Sequence, residues 1–129
     1  ALFGRLGGMF ADETAAALEE RLARLGADAL AEALPGILDG CLVPQQQPAT
    51  GATYAGRIAK DAGRMDWRQP AVALARQVRA YNPWPVAETL LDGERLRCWG
   101  AVPLQGGRTD AVPGQVVAAG AAGIDVQTG

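Results

Sequence analysis

The stretch Tyr81-Asn82-Pro83-Trp84-Pro85 constrains the fold of this chain most strongly, because two prolines flank a tryptophan. Each proline holds its own φ near about −65° and biases the residue before it towards extended geometry. Asn82 and Trp84 are therefore both directed out of helical conformation. We expect a corner between a helix at residues 70–80 and a strand at residues 86–91. The favoured interpretation is that a buried Trp84 pins this corner; the alternative is that the corner forms part of a binding surface.

The length and composition of the chain narrow the class of protein. A sequence of 129 residues with 49% hydrophobic residues can form one domain, or one small domain and part of another. It has no continuous apolar run of about 18 residues, so we expect no membrane span. Residues 1–5 lack the pattern of a signal peptide, and they also lack Met, which favours a start inside a longer protein. A cytoplasmic location fits the sequence. Cys41 and Cys98 are far apart and there is no His, so neither a disulfide scaffold nor a metal site is predicted.

Charge is distributed unevenly along the chain. Residues 1–52 carry a net charge of −4 and residues 109–129 carry −2, whereas residues 53–108 hold nine basic and five acidic groups, a net +4. We call residues 53–108 the basic segment. A solvated surface is the commoner explanation of such a segment, and an anionic partner is the alternative.

The first forty residues predict a pair of helices. Acidic residues and Thr14 precede an alanine-rich run, which is the pattern of a helix N-terminus. Leucines then recur at helical spacing as far as Gly26, a natural stop for the first helix. A second helix follows, in which Pro35 is expected to introduce a kink or a restart and Gly40 to provide the end.

The flanking and connecting segments are less regular. Residues 1–11 are interpreted as a loop or broken strand. Residues 41–52 contain two prolines and three glutamines, which predicts either an extended linker at a domain boundary or an ordered surface loop. Residues 53–59 predict a short helix capped by Thr53.

Strand signals dominate after the corner. Asp92-Gly93 separates two alternating runs and predicts a two-residue hairpin turn. The second run places three residues on one face, either as snorkelling arginines beside a covered tryptophan or as a stacking and phosphate-contacting surface: Arg95, Arg97 and Trp99. Residues 105–111 are interpreted as a polar loop, and two further strands are expected at residues 115–118 and 124–126. Four short strands predict a small antiparallel barrel, which looks incomplete because the sequence stops at Gly129.

Motifs for catalysis are scarce. The sequence contains no GxGxxG, no P-loop and no Ser/His/Asp set. Asp66 is the acidic residue within Met65-Asp66-Trp67, where it can cap a turn, pair with an arginine or take part in chemistry. A structural role is favoured, because no His and no second carboxylate stands beside it.

A series of motifs resembles the methionyl-tRNA formyltransferase family. In order and with matching spacing they are Thr53-Tyr54-Ala55, Lys60, Met65-Asp66-Trp67, Arg79-Ala80-Tyr81-Asn82-Pro83-Trp84-Pro85 and Pro113-Gly114, with Leu38-Asp39-Gly40 and Pro44-Gln45 upstream. The Asn-Pro-Trp-Pro motif alone is shared with related formyltransferases, including those that act on sugar nucleotides. The longer register favours the tRNA enzyme.

The resemblance implies an α+β fold in two parts. The family has an N-terminal Rossmann-like formyltransferase domain, which binds 10-formyltetrahydrofolate, and a C-terminal barrel similar to an OB fold. Residues 1–40 would be the C-terminal helix pair of the first domain, residues 41–59 the linker, and residues 60–129 an incomplete OB-like barrel with a packed helix. The family's catalytic Asn, His and Asp lie upstream, so no catalytic or cofactor-binding residue is assigned here and the chain alone is predicted to be inactive.

The same resemblance implies a role in translation initiation as part of a transferase. Initiator methionyl-tRNA would be the partner, bound weakly without the N-terminal catalytic domain. The candidate tRNA-binding residues are the basic groups expected on the surface of the basic segment: Arg57, Lys60, Arg76, Arg79, Arg95 and Arg97. The alternatives are a fragment of a sugar-nucleotide formyltransferase and a non-catalytic interaction domain.

Overall fold

The computed structural model describes residues 10–46, 48–106 and 110–129. The loop or broken strand predicted for residues 1–11 lies mostly outside these residues, and the polar loop predicted for residues 105–111 lies partly outside them. The chain divides into two compact units, Ala1–Arg57 and Ile58–Gly129.

The first unit is built on one helix, α1, which spans Ala15–Leu38. Its N-terminus forms as the sequence predicts, because the Thr14 hydroxyl oxygen accepts a hydrogen bond from the Ala17 N–H at 3.3 Å. This bond satisfies one of the donors that the first helical turn leaves free. The Glu13 carboxylate pairs with the Arg21 guanidinium at 2.8 Å and holds the preceding residues against the helix.

The predicted helix pair is wrong, since α1 is a single helix of 24 residues. Gly26 ends a helix only when it adopts a left-handed conformation, and its φ is not among the positive values of this chain. Glycine in a right-handed helix costs roughly 0.5–1 kcal/mol relative to alanine, a cost that the residues on both sides offset. The helix also continues beyond Pro35 to Leu38, where Asp39 forms the C-cap.

The apolar stripe of α1 is only partly covered by the described residues of its unit. Ala33 is its buried residue, while Leu30, Leu34 and Ile37 are exposed. After the helix the chain turns back, and the Leu42 N–H donates to the Gly36 carbonyl at 2.8 Å. The shape of this unit therefore depends mainly on capping and on hydrogen bonds within the helix.

The short helix predicted for residues 53–59 does not form. The first helical residues after α1 are instead Lys60–Gly63, a 3₁₀ helix at the start of the second unit. A seven-residue helix cannot recover the entropy lost in forming its first turn, and Gly56 lies inside the predicted segment. Residues 52–59 are irregular.

The second unit contains helix α2, Ala71–Ala80, which begins one residue later than the helix predicted for residues 70–80. Pro70 is the N-cap residue, one position before the helix begins. Leu74 and Val78 lie at i and i+4 on the buried face. They form the core with Met65 and Ala87, and Trp67 and Cys98 pack against it.

The corner after α2 forms where the sequence predicts it, but Trp84 does not pin it. Its side chain is 57% exposed, so the expectation of a buried tryptophan is wrong. The neighbouring Val86 is buried instead and donates its N–H to the Tyr81 carbonyl at 2.9 Å. Both X-Pro bonds of the corner, Asn82-Pro83 and Trp84-Pro85, are cis. The 3₁₀ helix packs closely on this corner, because a Cβ on Gly63 would lie 2.3 Å from the Val86 carbonyl oxygen.

The strands form two antiparallel hairpins. In the first, β1 (Ala87–Leu91) pairs with β2 (Glu94–Cys98). Asp92 and Gly93 both have positive φ, 51° and 85°, so the predicted two-residue turn is confirmed. In the second, β3 (Val116–Gly120) pairs with β4 (Gly123–Val126), with an irregularity between Val116 and Ala118.

The architecture confirms a mixed α+β fold with antiparallel sheet. The described strands form two separate two-stranded sheets, so the closed ladder of a barrel is not seen among them. Trp67 links β1 to the segment that follows β4 through hydrogen bonds. Its indole N–H donates to the Thr89 hydroxyl at 2.9 Å, and its carbonyl accepts from the Gly129 N–H at 3.0 Å.

Candidate nucleic-acid interface

The basic residues selected from the sequence come from several places in the fold. Arg57 is the last residue of the first unit, and the other five belong to the second. Lys60 begins the 3₁₀ helix. The remaining four lie in α2 and β2: Arg76, Arg79, Arg95 and Arg97. Arg79 is half-buried and the rest of the six are exposed.

Two of these arginines lie side by side on the face of β2 that points away from the core. Cys98 packs against the core, so the alternation of the strand directs Arg95 and Arg97 to the opposite side. Arg95 pairs with Glu88 of β1 at 3.5 Å. Glu88 is the cross-strand partner of Arg97 in the register, but no carboxylate of the described residues lies within 4.0 Å of the Arg97 guanidinium. Arg97 is therefore the more available of the two for an external anion.

The arginines of α2 are also available to bind an external anion. Within the described part of the chain, neither Arg76 nor Arg79 has a carboxylate within ion-pair distance. Arg79 lies in the last turn of the helix, where a cation is stabilised by the partial negative charge of the helix C-terminus. The charge of Arg79 is thus stabilised without a ligand, and the side chain can still contact an anionic ligand.

The corner and the end of β2 are joined by one side chain. The Asn82 amide donates to the Trp99 carbonyl at 3.1 Å, across 17 residues of sequence. Trp99 is 54% exposed, so the interpretation of the second run as snorkelling arginines beside a covered tryptophan is wrong for the tryptophan. Trp84 and Trp99 therefore present aromatic surface from two elements that are held together.

Asp66 has a structural role in this geometry. Its carboxylate receives two hydrogen bonds from the Arg68 guanidinium, at 2.8 and 2.9 Å, and one from the Arg68 backbone N–H at 3.2 Å. The Arg68 side chain holds the pKa of the Asp66 carboxyl below its ordinary value, and the backbone N–H adds to this effect. A carboxylate kept ionised and paired in this way is a poor proton donor or acceptor for a reaction near neutral pH.

The thiol closest to the core is likewise unsuited to chemistry. Burial raises the pKa of the Cys98 thiol, which keeps it in the less nucleophilic protonated form.

Over the described ranges no cluster of three or more His, Cys, Asp or Glu residues could hold a metal ion. None of the described helices is long and apolar enough to cross a membrane. The surface of the second unit thus offers guanidinium donors and aromatic rings.

A cleft of about 920 Å³ lies in the second unit between α2 and the two hairpins. Its lining includes Leu74, Leu96, Val116 and Ile124, together with Trp99 at the end of β2. The predominance of aliphatic side chains indicates a surface for packing more than a site that recognises charge.

Sequence reasoning missed two components of this surface. The favoured interpretation of the sequence put Trp84 in the core, and only the two prolines around it pointed to the alternative of a binding surface. Arg64, exposed beside the 3₁₀ helix, contributes to the charge of the basic segment but is not among the six predicted contact residues. Its carbonyl accepts a hydrogen bond from the Gln77 amide at 3.2 Å, which ties this backbone to α2.

Comparison with known proteins gives the family. The family model described as "Formyl transferase, C-terminal domain" matches residues 57–129. Proteins named methionyl-tRNA formyltransferase are similar over 91% of this chain. The one from Xanthomonas campestris pv. campestris (strain 8004) is 50% identical over 119 residues, 38% of its own length. The one from Nitrosococcus oceani is 46% identical over 118 residues, 36% of its length, and the one from Stenotrophomonas maltophilia is 48% identical over 119 residues.

These matches cover more than half of the chain, and they include the unit that holds the corner, α2 and both hairpins. The chain belongs to the formyl transferase C-terminal domain family. The resemblance to methionyl-tRNA formyltransferase drawn from the sequence motifs is confirmed. The chain spans less than two fifths of the length of these relatives.

Proposed function

We propose that this chain is the C-terminal portion of a methionyl-tRNA formyltransferase and that its second unit helps to hold initiator methionyl-tRNA. The observation that carries the proposal is a set of arginines without ion-pair partners among the described residues, exposed Arg76 and Arg97 and half-buried Arg79, in a domain whose relatives are named for a tRNA substrate. Arginine suits phosphate because its planar fork donates two hydrogen bonds at once. Such contacts position a nucleic acid without reading its base sequence.

The complete enzyme would transfer a formyl group from 10-formyltetrahydrofolate to the methionyl amine in the cytoplasm. That step requires a proton acceptor and donors that stabilise the developing oxyanion. We assign both to an N-terminal Rossmann-like domain, of which residues 1–40 would be the end and residues 41–59 the linker. The described residues of this chain contribute binding and not chemistry, and the chain alone should show no formyl transfer above background.

The OB-like barrel belongs to the same proposal. The hairpins β1–β2 and β3–β4 both border the apolar cleft, and aliphatic side chains from each line it. Further strands, as the resemblance implies, would cover these side chains and join the two sheets. Closure would remove the exposed strand edges that two separate hairpins leave open.

The proposal is tested by measuring the affinity of this chain for initiator methionyl-tRNA over a range of salt concentrations. Phosphate contacts release counterions, so the affinity should fall steeply as salt rises. Replacing Arg76 and Arg79 together by glutamine should weaken binding and reduce the salt slope by about one for each phosphate that is no longer neutralised. The matched control is Arg24→Gln, since Arg24 is already paired with Glu20 on α1.

Two results would contradict the proposal. A flat salt dependence of tRNA binding would show that the basic segment is only a solvated surface. Equal effects of the α2 double variant and of Arg24→Gln would show that no particular arginine contacts the tRNA. The same chain should also be titrated with a sugar nucleotide in place of tRNA. Binding of the sugar nucleotide would support the alternative of a sugar-nucleotide formyltransferase.

A further inference from the structure

Two exposed tryptophans lie in elements of the second unit that one hydrogen bond joins. Trp84 projects from the corner and Trp99 follows the end of β2, and the Asn82 amide joins the two elements. Tryptophan is on average a highly buried residue, so two rings that are each more than half exposed require an explanation. We use the term tryptophan face for Trp84, Trp99 and the neighbouring Arg97.

The backbone around Trp84 is held by packing from the core side. Val86 is buried with φ of 71°, a left-handed conformation that a β-branched residue adopts only when its surroundings impose it. Its N–H is bonded to the Tyr81 carbonyl, and the next residue, Ala87, has no exposed surface. The exposure of Trp84 is therefore a property of a fixed corner and not of a loose loop.

The charge beside the rings indicates the kind of ligand. Arg97 lies two residues before Trp99, on the side of the chain away from the core-packed Cys98. It has no carboxylate within 4.0 Å among the residues described. Exposed aromatic rings with an unpaired guanidinium match the way proteins bind unpaired nucleic acid, where bases stack on the rings and a cation follows the backbone. A purely apolar protein partner would leave the Arg97 charge without a counterpart.

We infer that the tryptophan face binds unpaired nucleotides of RNA, with bases stacked on Trp84 and Trp99 and a phosphate at Arg97. The inference rests on the proposed function, and it specifies that a single-stranded part of the bound RNA, in contrast to its duplex stems, contacts this face. Stacking tolerates any base, so the face selects unpaired RNA over duplex RNA without a strong sequence preference.

The test compares a fluorescent single-stranded RNA dodecamer with a duplex of the same length, both titrated into the whole chain. Trp84→Ala and Trp99→Ala should each weaken binding of the single strand by roughly five- to a hundredfold, the effect of losing one stacked base. Duplex binding should change by less than about twofold, because phosphate contacts do not need the rings. Quenching of tryptophan fluorescence by the single strand should shrink in both variants.

The controls separate stacking from folding. Trp84→Phe keeps an aromatic face and should retain binding within about threefold of the unaltered chain. Tyr54→Ala removes an aromatic side chain that is 95% exposed but lies in the first unit, and it should leave binding unchanged. Thermal unfolding of each variant, followed by circular dichroism, should match that of the unaltered chain.

Failure of this inference and failure of the proposed function give different results. If the single strand binds Trp84→Ala and Trp99→Ala as tightly as it binds the unaltered chain, the inference is overturned even when tRNA binding remains steeply salt-dependent. Equal losses for single strand and duplex would also overturn it, since they would indicate a general effect on the surface. Failure of the proposed function appears instead as a flat salt dependence of tRNA binding by the unaltered chain.

Discussion

The two units of this chain are stabilised in contrasting ways. The first contains a 24-residue helix whose buried set is Ala33 alone, with exposed leucines in its C-terminal part: Leu30, Leu34 and Leu38. The second builds a core in which Met65, Leu74, Val78 and Ala87 come together from a loop, a helix and a strand. Helix α1 depends on bonds between residues three to four apart, whereas the second unit depends on contacts between distant residues. The contrast shows why substitutions of the same type should have different effects in the two units.

All three tryptophans lie in the second unit, at positions 67, 84 and 99, whereas α1 supplies 24 of the 34 residues in the two α-helices that the structure describes. Tryptophan fluorescence therefore reports on unfolding of the second unit, and circular dichroism at 222 nm reports mainly on α1. The two signals together distinguish an effect on one unit from an effect on the other.

The largest effect is expected from Leu74→Ala. Leu74 is 3% exposed in the core, and replacing a buried leucine by alanine removes about 2–5 kcal/mol of unfolding free energy. The matched control is Leu30→Ala on α1, where the side chain is exposed and the change should stay within about 0.5 kcal/mol. Denaturant unfolding followed by tryptophan fluorescence measures the first variant, and the 222 nm signal measures the second. Similar losses in the two variants would mean that the units do not differ in this way.

A smaller loss is expected from Gly63→Ala. The added Cβ would lie 2.3 Å from the Val86 carbonyl oxygen, so the 3₁₀ helix and the corner must move apart. Overpacking of this kind costs about 1–3 kcal/mol, again measured by denaturant unfolding with tryptophan fluorescence. Gly100→Ala serves as the control, because a Cβ there would have no atom within 4 Å and the φ of Gly100 is not positive. If Gly63→Ala leaves the free energy of unfolding unchanged, the corner can move to make room for the added Cβ and the prediction is wrong.

Gly26→Ala should instead stabilise the first unit. Gly26 lies inside α1 with open space around it, and alanine in a helix gains about 0.5–1 kcal/mol over glycine. The increase should appear in the melting of the 222 nm signal and not in tryptophan fluorescence. Gly40→Ala is the opposing control, since φ of 75° at Gly40 makes alanine unfavourable by about 1 kcal/mol. Loss of helicity in Gly26→Ala would contradict this expectation and would support the helix end at Gly26 that the sequence predicts.

The smallest effect is a dependence of α1 stability on pH. The Arg21 hydrogen bond holds the pKa of the Glu13 carboxyl below its ordinary value of 4.5. A lowered pKa in the folded state means that the stabilisation is complete above pH 4.5 and is lost as pH falls through the folded-state value. Glu13→Gln, one residue before the N-cap of α1, should therefore flatten the acid side of the pH profile of helicity, whereas Glu19→Gln, within α1, should not. Parallel profiles for the two variants would indicate that the Glu13–Arg21 pair contributes nothing.

Much of the secondary structure could be predicted because its causes are local. The Thr14 cap, the start of α2 after Pro70, and the Asp92-Gly93 turn each depend on a few adjacent residues, and all three form. The two failures in helix prediction occur where small free-energy contributions for and against the helix nearly cancel. Gly26 and residues 53–59 carry helix signals of about the same size as the costs that oppose them. Only the whole surrounding segment decides such cases.

The candidate site was less predictable than the fold. The basic residues could be named from the uneven charge of the sequence, but not which of them are free. Arg95 pairs with Glu88 across the hairpin, whereas Arg97, two residues further along, does not. This difference depends on strand register and side-chain direction, and neither can be read from composition.

The sequence by itself determined the family, the Thr14 cap of α1, the hairpin turn and the presence of a corner at Tyr81-Asn82-Pro83-Trp84-Pro85. These follow from the conformational limits of single residues and from short-range hydrogen bonds. The tertiary structure decided that Val86 is buried at this corner and Trp84 exposed. It also decided that Asn82 joins the corner to Trp99. Burial is a competition among all side chains for a limited core, so hydrophobic character alone does not settle which aromatic ring enters it.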